Sequence, residues 1–236
     1  MKVVSLASVR GAPGVTTTAI LLASTFTDGL LVEADLDGGV LAVRYGLGRE
    51  PGLTTFAAGG PDADGGWRAH AQDAGGVPVL VGPDAPGAST SMWRTAGERI
   101  THKLVAADGV VVVDAGRLRS PVPIVAASDL LAVLANPVAD QLVALTHLVP
   151  TLRQEVRGRV AVVLVGDGPY GVGDVERSVG VPVIGQLPND PDAAEALRVG
   201  GSRSRLARSR LARAVGALGG ELSSALLELT TAGAAS

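Results

Sequence analysis

The chain has 236 residues, a formal net charge of −3 and no cysteine, and two of its 20 basic residues are lysine. Without cysteine it has no disulfide scaffold, thiol nucleophile or thiolate metal site, and three scattered histidines do not favour a histidine-rich metal site. The slightly acidic balance excludes a protein whose whole surface attracts polyanions. With 47% hydrophobic but 3% aromatic residues, we expect one domain with an aliphatic core.

Short apolar runs rich in β-branched residues alternate with helical patterns along the chain. Runs this continuous are typical of strands buried on both faces of a parallel sheet. The predicted strands are 3–9, 30–32, 77–81, 110–113, 130–134, 160–165 and 181–184. The alternation predicts a doubly wound α/β fold, with a single, mostly parallel sheet flanked by helices.

The predicted helices are 16–26, 90–107, 138–148, a short helix after Asp190 and a C-terminal helix at about 203–229. Asp190 followed by Pro191 is typical of a helix start, and Gly200 then predicts its end. Pro150 is expected to end or kink its helix. The Gly/Asp-rich stretch 59–76 predicts a surface excursion.

The N-terminus has a short apolar run but lacks the cleavage site of a signal peptide. No apolar run reaches the ~20 residues that span a bilayer. We therefore expect a soluble, cytoplasmic protein. Because the first strand begins almost at the first residue, we also expect no receiver-like domain before it.

A glycine-rich loop joins the first predicted strand to the first helix, and it reads Arg10-Gly11-Ala12-Pro13-Gly14-Val15-Thr16-Thr17. This architecture is typical of a P-loop, where backbone N–H groups hold phosphate and the first hydroxyl holds Mg²⁺. Val15, however, stands where a P-loop has lysine. On the loop alone, a plain glycine turn between a strand and a helix is an equally open interpretation.

Acidic residues end two of the predicted strands. Glu33 and Asp35 follow the second strand at a spacing that points both to one side. Asp114 ends the strand at 110–113, as in a Walker B motif, whose carboxylate reaches the Mg²⁺ shell from the carboxyl edge of the sheet. One strand-end aspartate is usually a cap or turn residue, but three such features in this order favour a nucleotide site.

The ordered motifs resemble the MinD/ParA superfamily of deviant-Walker ATPases. Loop 10–17 aligns with the superfamily sequence KGGxGKTT and is most similar to the atypical CpaE/TadZ branch, which often lacks the second lysine. Segments 35–53 and 79–83, and Asp114-Ala115-Gly116-Arg117, also resemble that branch. Segment 181–190 resembles the superfamily motif "vPvlGxiPyD". The similarity thus runs from the first strand to the helix after Asp190.

The resemblance implies an ATP·Mg²⁺ site in a nucleotide-sandwich homodimer. It places the nucleotide contacts on Arg10, Gly11, Ala12, Gly14, Val15, Thr16, Thr17, Pro188 and Asp190. It places Mg²⁺ on Thr16, on Asp35 and, through water, on Asp114. Asp35 and Arg10 are the implied catalytic residues. Asp35 would orient the attacking water or the metal shell, and Arg10 would reach the partner's nucleotide as the signature lysine does.

The departures from the family pattern concern turnover more than binding. Val15 removes the positive charge that would face the β/γ-phosphates, and Pro13 removes one backbone N–H donor. Glu33 gives the first acid of the Glu33/Asp35 pair a longer side chain. Gly166 falls where many relatives place an asparagine near the adenine. Because phosphoryl transfer depends on positioning and charge neutralisation, we expect weak or absent hydrolysis.

Three functions stay open. The favoured one is a nucleotide-responsive, dimerising regulator that positions pilus, secretion or division machinery through a partner protein and is recruited to the pole, septum or membrane. The others are an active partitioning ATPase that binds DNA, and a structural pseudo-ATPase that binds no nucleotide.

An arginine cluster lies near the C-terminus, at Arg203, Arg205, Arg208, Arg210 and Arg213. It is consistent with DNA contact, with an interfacial membrane helix, or with the solvated face of a terminal helix. The last interpretation is favoured because apolar residues follow at helical spacing from Leu211. Residues 222–236 contain no lysine or arginine, which makes direct membrane insertion unexpected.

Overall fold

The computed structural model describes residues 1–10, 14–59, 66–118, 120–198 and 208–233, with side chains described as far as Ser224. The strands are β1 (Lys2–Ser8), β2 (Gly29–Glu33), β3 (Gln72–Asp73), β4 (Pro78–Leu80), β5 (Val110–Arg117), β6 (Leu130–Ala135), β7 (Arg159–Val165) and β8 (Val183–Leu187). They form one sheet in the order β3-β4-β2-β5-β1-β6-β7-β8. The predicted fold class is confirmed: every pairing is parallel except that of β3 with β4.

The helices are α1 (Val15–Ala23), α2 (Leu41–Tyr45), α3 (Leu53–Ala58), α4 (Pro86–Val105), α5 (Pro123–Ala126), α6 (Ala139–Glu155), α7 (Val172–Val179), α8 (Pro191–Arg198) and α9 (Arg210–Gly233). A 3-10 helix, Gly66–His70, precedes β3. Among the described residues, none of these helices combines the length and the apolar character that a membrane span requires.

The sheet separates two aliphatic cores. One core packs α3 to α7 against one face of the sheet, and the other packs α1, α8 and α9 against the opposite face. Parallel strands place their carboxyl ends at one edge, so the ends of β1, β2 and β5 meet there. This edge carries Ser8, Glu33 and Asp114, the last two being register partners. The fold thereby gathers residues that lie far apart in the sequence.

Two strands differ from their predicted limits by more than one residue at an end. β5 continues past 113 to Arg117, because Asp114 and Arg117 still pair with β1 across an irregularity near Ser8. β8 begins at Val183 and not at 181, because Pro182 has no N–H to donate to the neighbouring strand. Val181 is nevertheless buried in the core.

Segment 59–76 is more than a surface excursion. Its described part forms the 3-10 helix and β3, and it inserts Trp67 into the core. The described C-terminal helix begins at Arg210. The predicted helix positions 203–207 and the predicted helix end at Gly200 lie outside the described residues. The predicted apolar stripe is confirmed as far as Leu222, with Leu211, Val215 and Leu218 also buried.

Pro150 is predicted to end or kink its helix, and the first alternative is wrong, because α6 continues through Pro150 to Glu155. Pro150 is exposed, while Val149 and Leu152 on either side of it are buried in the core. The packing of these neighbours therefore holds the helix together, although the Pro150 nitrogen cannot donate to the carbonyl of Thr146.

Replacing Pro150 with alanine should raise the free energy of unfolding by about 1–2 kcal/mol, because the helix regains a hydrogen bond and loses a steric clash. Urea unfolding measures this difference. Pro86→Ala is the matched control: Pro86 is the first residue of α4, where no helical N–H bond is lost, so little change is expected. Equal effects of the two substitutions would contradict the explanation.

Candidate functional site

The loop after β1 delivers the chain into α1 through a glycine in a left-handed conformation. Gly14 has φ 78° and ψ 35° and is the N-cap of α1, which any other L-residue would adopt only with strain. Thr16 and Thr17 therefore lie in the first helical turn, whose backbone N–H groups have no partner within the helix. Such a turn is suited to an anion.

A pocket of about 270 Å³ opens at this helix start. Its described lining comes from three strand ends and two helices: Ser8, Gly14, Val15, Thr16, Thr17, Asp35, Asp37, Arg44, Gly116 and Arg117. The pocket thus brings together the predicted residues Gly14, Val15, Thr16, Thr17 and Asp35. Two arginines that the sequence interpretation did not assign to the site also line it.

Val15 takes part in the pocket without offering charge. Its side chain is 6% exposed and belongs to the core formed by α1, α8 and α9. Among the described residues, the first turn of α1 contains no basic side chain. The pocket therefore lacks the cation that a P-loop lysine brings to phosphate.

Asp114 is the most buried acid of the site, 1% exposed. Thr16 donates a side-chain hydrogen bond to it, and the Gly116 N–H lies 3.1 Å from its Oδ1. The pKa of Asp114 is raised to about 7, mainly by burial and also by the neighbouring acids Glu33 and Asp35, while the hydrogen bonds from Thr16 and Gly116 oppose the rise. A buried carboxylate in this setting is stabilised by a nearby cation.

Glu33 is also buried, but backbone N–H groups surround its carboxylate. Oε1 accepts hydrogen bonds from Val40 at 2.5 Å and Leu41 at 2.8 Å, and Oε2 accepts one from Gly82 at 3.0 Å. Burial raises the pKa of Glu33, and these three hydrogen bonds oppose that rise. Glu33 thus joins the end of β2 to the start of α2, a role that the i, i+2 spacing with Asp35 did not predict.

Asp35 follows β2 and lines the pocket. Its Oδ1 accepts a hydrogen bond from the Asp37 N–H at 2.8 Å, and its backbone oxygen accepts one from the Ser89 hydroxyl at 2.8 Å. Gly116 lies directly against this carboxylate, with φ 55°, and a Cβ at that position would overlap Asp35. The glycine is therefore required for Asp35 to occupy the pocket wall.

The remaining predicted site residues lie elsewhere or outside the described ranges. Arg10 is described and exposed at the start of the loop after β1, whereas Gly11 and Ala12 are not described. Pro188 follows β8 and is half-buried. Asp190 caps α8 through the Ala193 N–H at 3.1 Å and also accepts the Leu211 N–H at 3.4 Å, so its carboxylate joins α8 to α9.

The oxygen donors of the pocket fit a hard cation held together with phosphate. No group of three or more histidine or carboxylate side chains in the described ranges is arranged to bind a metal alone. The Thr16 hydroxyl, supported by Asp114, is the kind of donor that binds Mg²⁺ alongside water and phosphate oxygens. Asp35 lies on the same pocket lining as Thr16.

Sequence reasoning missed Arg44, Asp37 and the anchoring role of Glu33. Arg44 lies on the five-residue helix α2, which is too short for a periodic signal. Asp37 could have been identified from its i, i+2 spacing to Asp35, and both residues line the pocket.

The raised pKa of Asp114 predicts a pH dependence of stability. Between about pH 4 and 7 the folded state binds a proton that the unfolded state has released, so the stability contributed by Asp114 is lost as the pH rises through 7. Asp114→Asn cannot ionise. The difference in free energy of unfolding, variant minus unsubstituted protein, should therefore increase by about 1.4 kcal/mol for each pH unit over this range.

Urea unfolding at pH 5, 6, 7 and 8, without nucleotide or metal, measures this gain. Asp140→Asn, at an exposed position in the first turn of α6, is the control and should show no comparable trend. A constant difference between Asp114→Asn and the unsubstituted protein would contradict the prediction.

No protein-family model matches this sequence, and no curated protein matches it. Solved structures do. A ParA family ATPase from Chlorobium tepidum TLS superposes with a TM-score of 0.76 at 19% identity, covering 92% of this chain and 97% of that one.

Two further structures give similar superpositions. The septum site-determining protein MinD of Pyrococcus horikoshii OT3, complexed with Mg-ADP, has a TM-score of 0.72 at 16% identity, covering 94% of this chain and 95% of that one. A chain of the MinC:MinD cell division protein complex of Aquifex aeolicus has a TM-score of 0.71 at 15% identity, covering 95% and 96%. This chain therefore has the fold of the MinD and ParA ATPases.

Proposed function

We propose that this chain is a nucleotide-responsive spatial regulator that binds ATP·Mg²⁺, forms a homodimer and hydrolyses ATP weakly or not at all. The observation that carries the proposal is the hydrogen bond from Thr16 to buried Asp114, at the N-terminus of α1 and in an open pocket beside an uncharged Val15. The site keeps the oxygen ligands for Mg²⁺ and loses the lysine.

Binding is supported by the complementarity of the pocket to Mg²⁺ and phosphate. Gly14, Thr16 and Thr17 supply a helix N-terminus and hydroxyls for phosphate, and Asp35 and Asp114 supply negative charge for the metal. The MinD structure that contains Mg-ADP shares the fold. Mg²⁺ would neutralise the acids of the pocket and polarise the phosphate that it contacts.

Weak turnover is supported by Val15, whose apolar side chain packs in the core. Phosphoryl transfer needs fixed positive charge where negative charge develops on the transferred group, and a P-loop without lysine lacks one such charge. Asp35 remains as a residue that orients water. It therefore supports slow hydrolysis, and it keeps open the alternative of an active ATPase.

The homodimer is supported by the exposed position of Arg10 at the mouth of the loop. An exposed guanidinium beside a phosphate loop is free to reach the nucleotide of a second copy, and its planar fork fits phosphate oxygens. The CpaE/TadZ resemblance suggests a pilus, secretion or division partner. The MinC:MinD complex shows one structure of this fold with a protein partner, and we propose partner binding as the output here.

The Val15→Lys variant tests the link between the missing charge and turnover. We expect the unsubstituted protein to bind ATP·Mg²⁺ at micromolar to millimolar concentration with negligible phosphate release. Val15→Lys should tighten binding by about tenfold and raise turnover, because a charged hydrogen bond contributes about 1.5–3 kcal/mol. Calorimetric titration and a phosphate-release assay measure the two effects.

Val15→Met is the matched control, because it changes the packing of Val15 without adding charge. Absence of binding at millimolar ATP·Mg²⁺ would sink the proposal and favour a structural pseudo-ATPase. Rapid hydrolysis by the unsubstituted protein would favour the active partitioning ATPase.

DNA contact is a second candidate function, favoured by the exposure of Arg208, Arg210 and Arg213 around the start of α9. No acid lies between Glu195 and Glu221 in the sequence, so this cluster has a local excess of positive charge. Exposed arginines bind phosphates without sequence preference and with strong salt dependence.

Random duplex DNA should therefore bind more weakly as salt rises. Replacing Arg208, Arg210 and Arg213 with glutamine should lower the slope of log K against log salt by up to about 3, since each phosphate contact contributes about 0.9. Replacing Arg94 and Arg99 on α4 and Arg153 on α6, three exposed arginines, with glutamine controls for the same change in net charge. No retardation of DNA at low salt would remove this function.

A further inference from the structure

Arg44 is the basic residue of the pocket with the most defined setting. It lies on α2, is half-buried and lines the pocket together with Gly14 and Thr16. None of the ion pairs among the described residues involves Arg44. Arg117, the other basic residue of the lining, is exposed at the end of β5, where solvent screens its charge more strongly.

The position of α2, and with it that of Arg44, is fixed from two sides. The Glu33 carboxylate accepts the N–H groups of Val40 and Leu41 at the start of the helix. The Leu41 side chain is fully buried in the core that also contains Val15. Arg44 lies one turn after Leu41, so its backbone has little freedom to leave the pocket wall.

The charges of the pocket favour an anion near Arg44. Val15 contributes no charge, and the described first turn of α1 contains no basic residue. The carboxylates of Asp35, Asp37 and Asp114 would repel a polyphosphate that enters the pocket unless a cation on the lining offsets their charge. Arg44 is a cation on the same lining, and guanidinium binds phosphate oxygens through two parallel hydrogen bonds.

We propose that Arg44 is the phosphate-binding cation of this pocket, supplied by α2 in place of the P-loop lysine that Val15 replaces. The inference rests on the proposed nucleotide binding and assigns the residue that makes it possible. In this arrangement a cation on α2 supports the binding of ATP. The loop itself still lacks the positive charge that would stabilise the transition state of phosphoryl transfer.

The test compares binding of ATP·Mg²⁺ and of adenosine to the full chain by calorimetric titration. Arg44→Gln should weaken ATP·Mg²⁺ binding by about tenfold or more, because one charged hydrogen-bonding group is lost. Arg44→Lys should recover part of that affinity, since it keeps the charge but not the fork. Adenosine has no phosphate, so its affinity should stay within about twofold, which a general folding defect would not allow.

Arg49→Gln is the matched control. Arg49 lies in the segment just after α2, carries the same charge and pairs with Asp84 at the surface, outside the pocket lining. It should leave the affinity for ATP·Mg²⁺ within about twofold. Adding Val15→Lys to Arg44→Gln should restore the lost affinity, because the charge returns to the same pocket from the loop.

The possible outcomes separate the two proposals. If the unsubstituted protein binds no ATP·Mg²⁺ at millimolar concentration, the proposed function itself fails. If it binds and Arg44→Gln binds equally well, nucleotide binding stands and the role of Arg44 is overturned. A loss confined to Arg117→Gln would likewise overturn it and assign the cation to β5.

Discussion

The buried carboxylate of Asp114, hydrogen-bonded to Thr16, is the interaction on which the site depends. It joins the central strand β5 to the first turn of α1. A phosphate-binding pocket needs these two elements in a fixed position relative to each other. A carboxylate at this depth is costly when ionised and unpaired. The most direct compensation is a cation in the pocket, and the neighbouring oxygens suit Mg²⁺ brought in by a nucleotide.

The pocket then separates two requirements that a standard P-loop meets with one lysine. In the proposed function, Thr16 and Asp114 would retain the metal coordination, whereas Val15 contributes no positive charge from the start of α1. In our proposal Arg44 restores charge for binding from a different helix. If the proposal holds, such a site would respond to the binding of nucleotide more readily than to its cleavage, as the proposed output through a partner requires.

The sequence predicted a mostly parallel sheet and every described strand except the two-residue β3, because continuous β-branched runs leave little alternative to buried parallel strands. It also singled out Thr16 from the glycine-rich loop before it, and Asp35 and Asp114 from their positions after apolar runs. It did not reveal that Arg44 faces the same pocket, because that contact depends on the path of the chain between β2 and β4. Nor did it predict the continuation of α6 through Pro150, which depends on the burial of Val149 and Leu152.

The three hydrogen bonds to Glu33 also bear on how quickly a ligand is captured. Moving the start of α2 away from the sheet would leave a buried carboxylate without its donors, so an open form of this wall is sparsely populated. The α2 wall is therefore preformed before any ligand arrives, and its encounter with the ligand needs no prior rearrangement. Association at this wall would then be governed by diffusion and electrostatic attraction, and differences in affinity among ligands would arise mainly from their rates of dissociation.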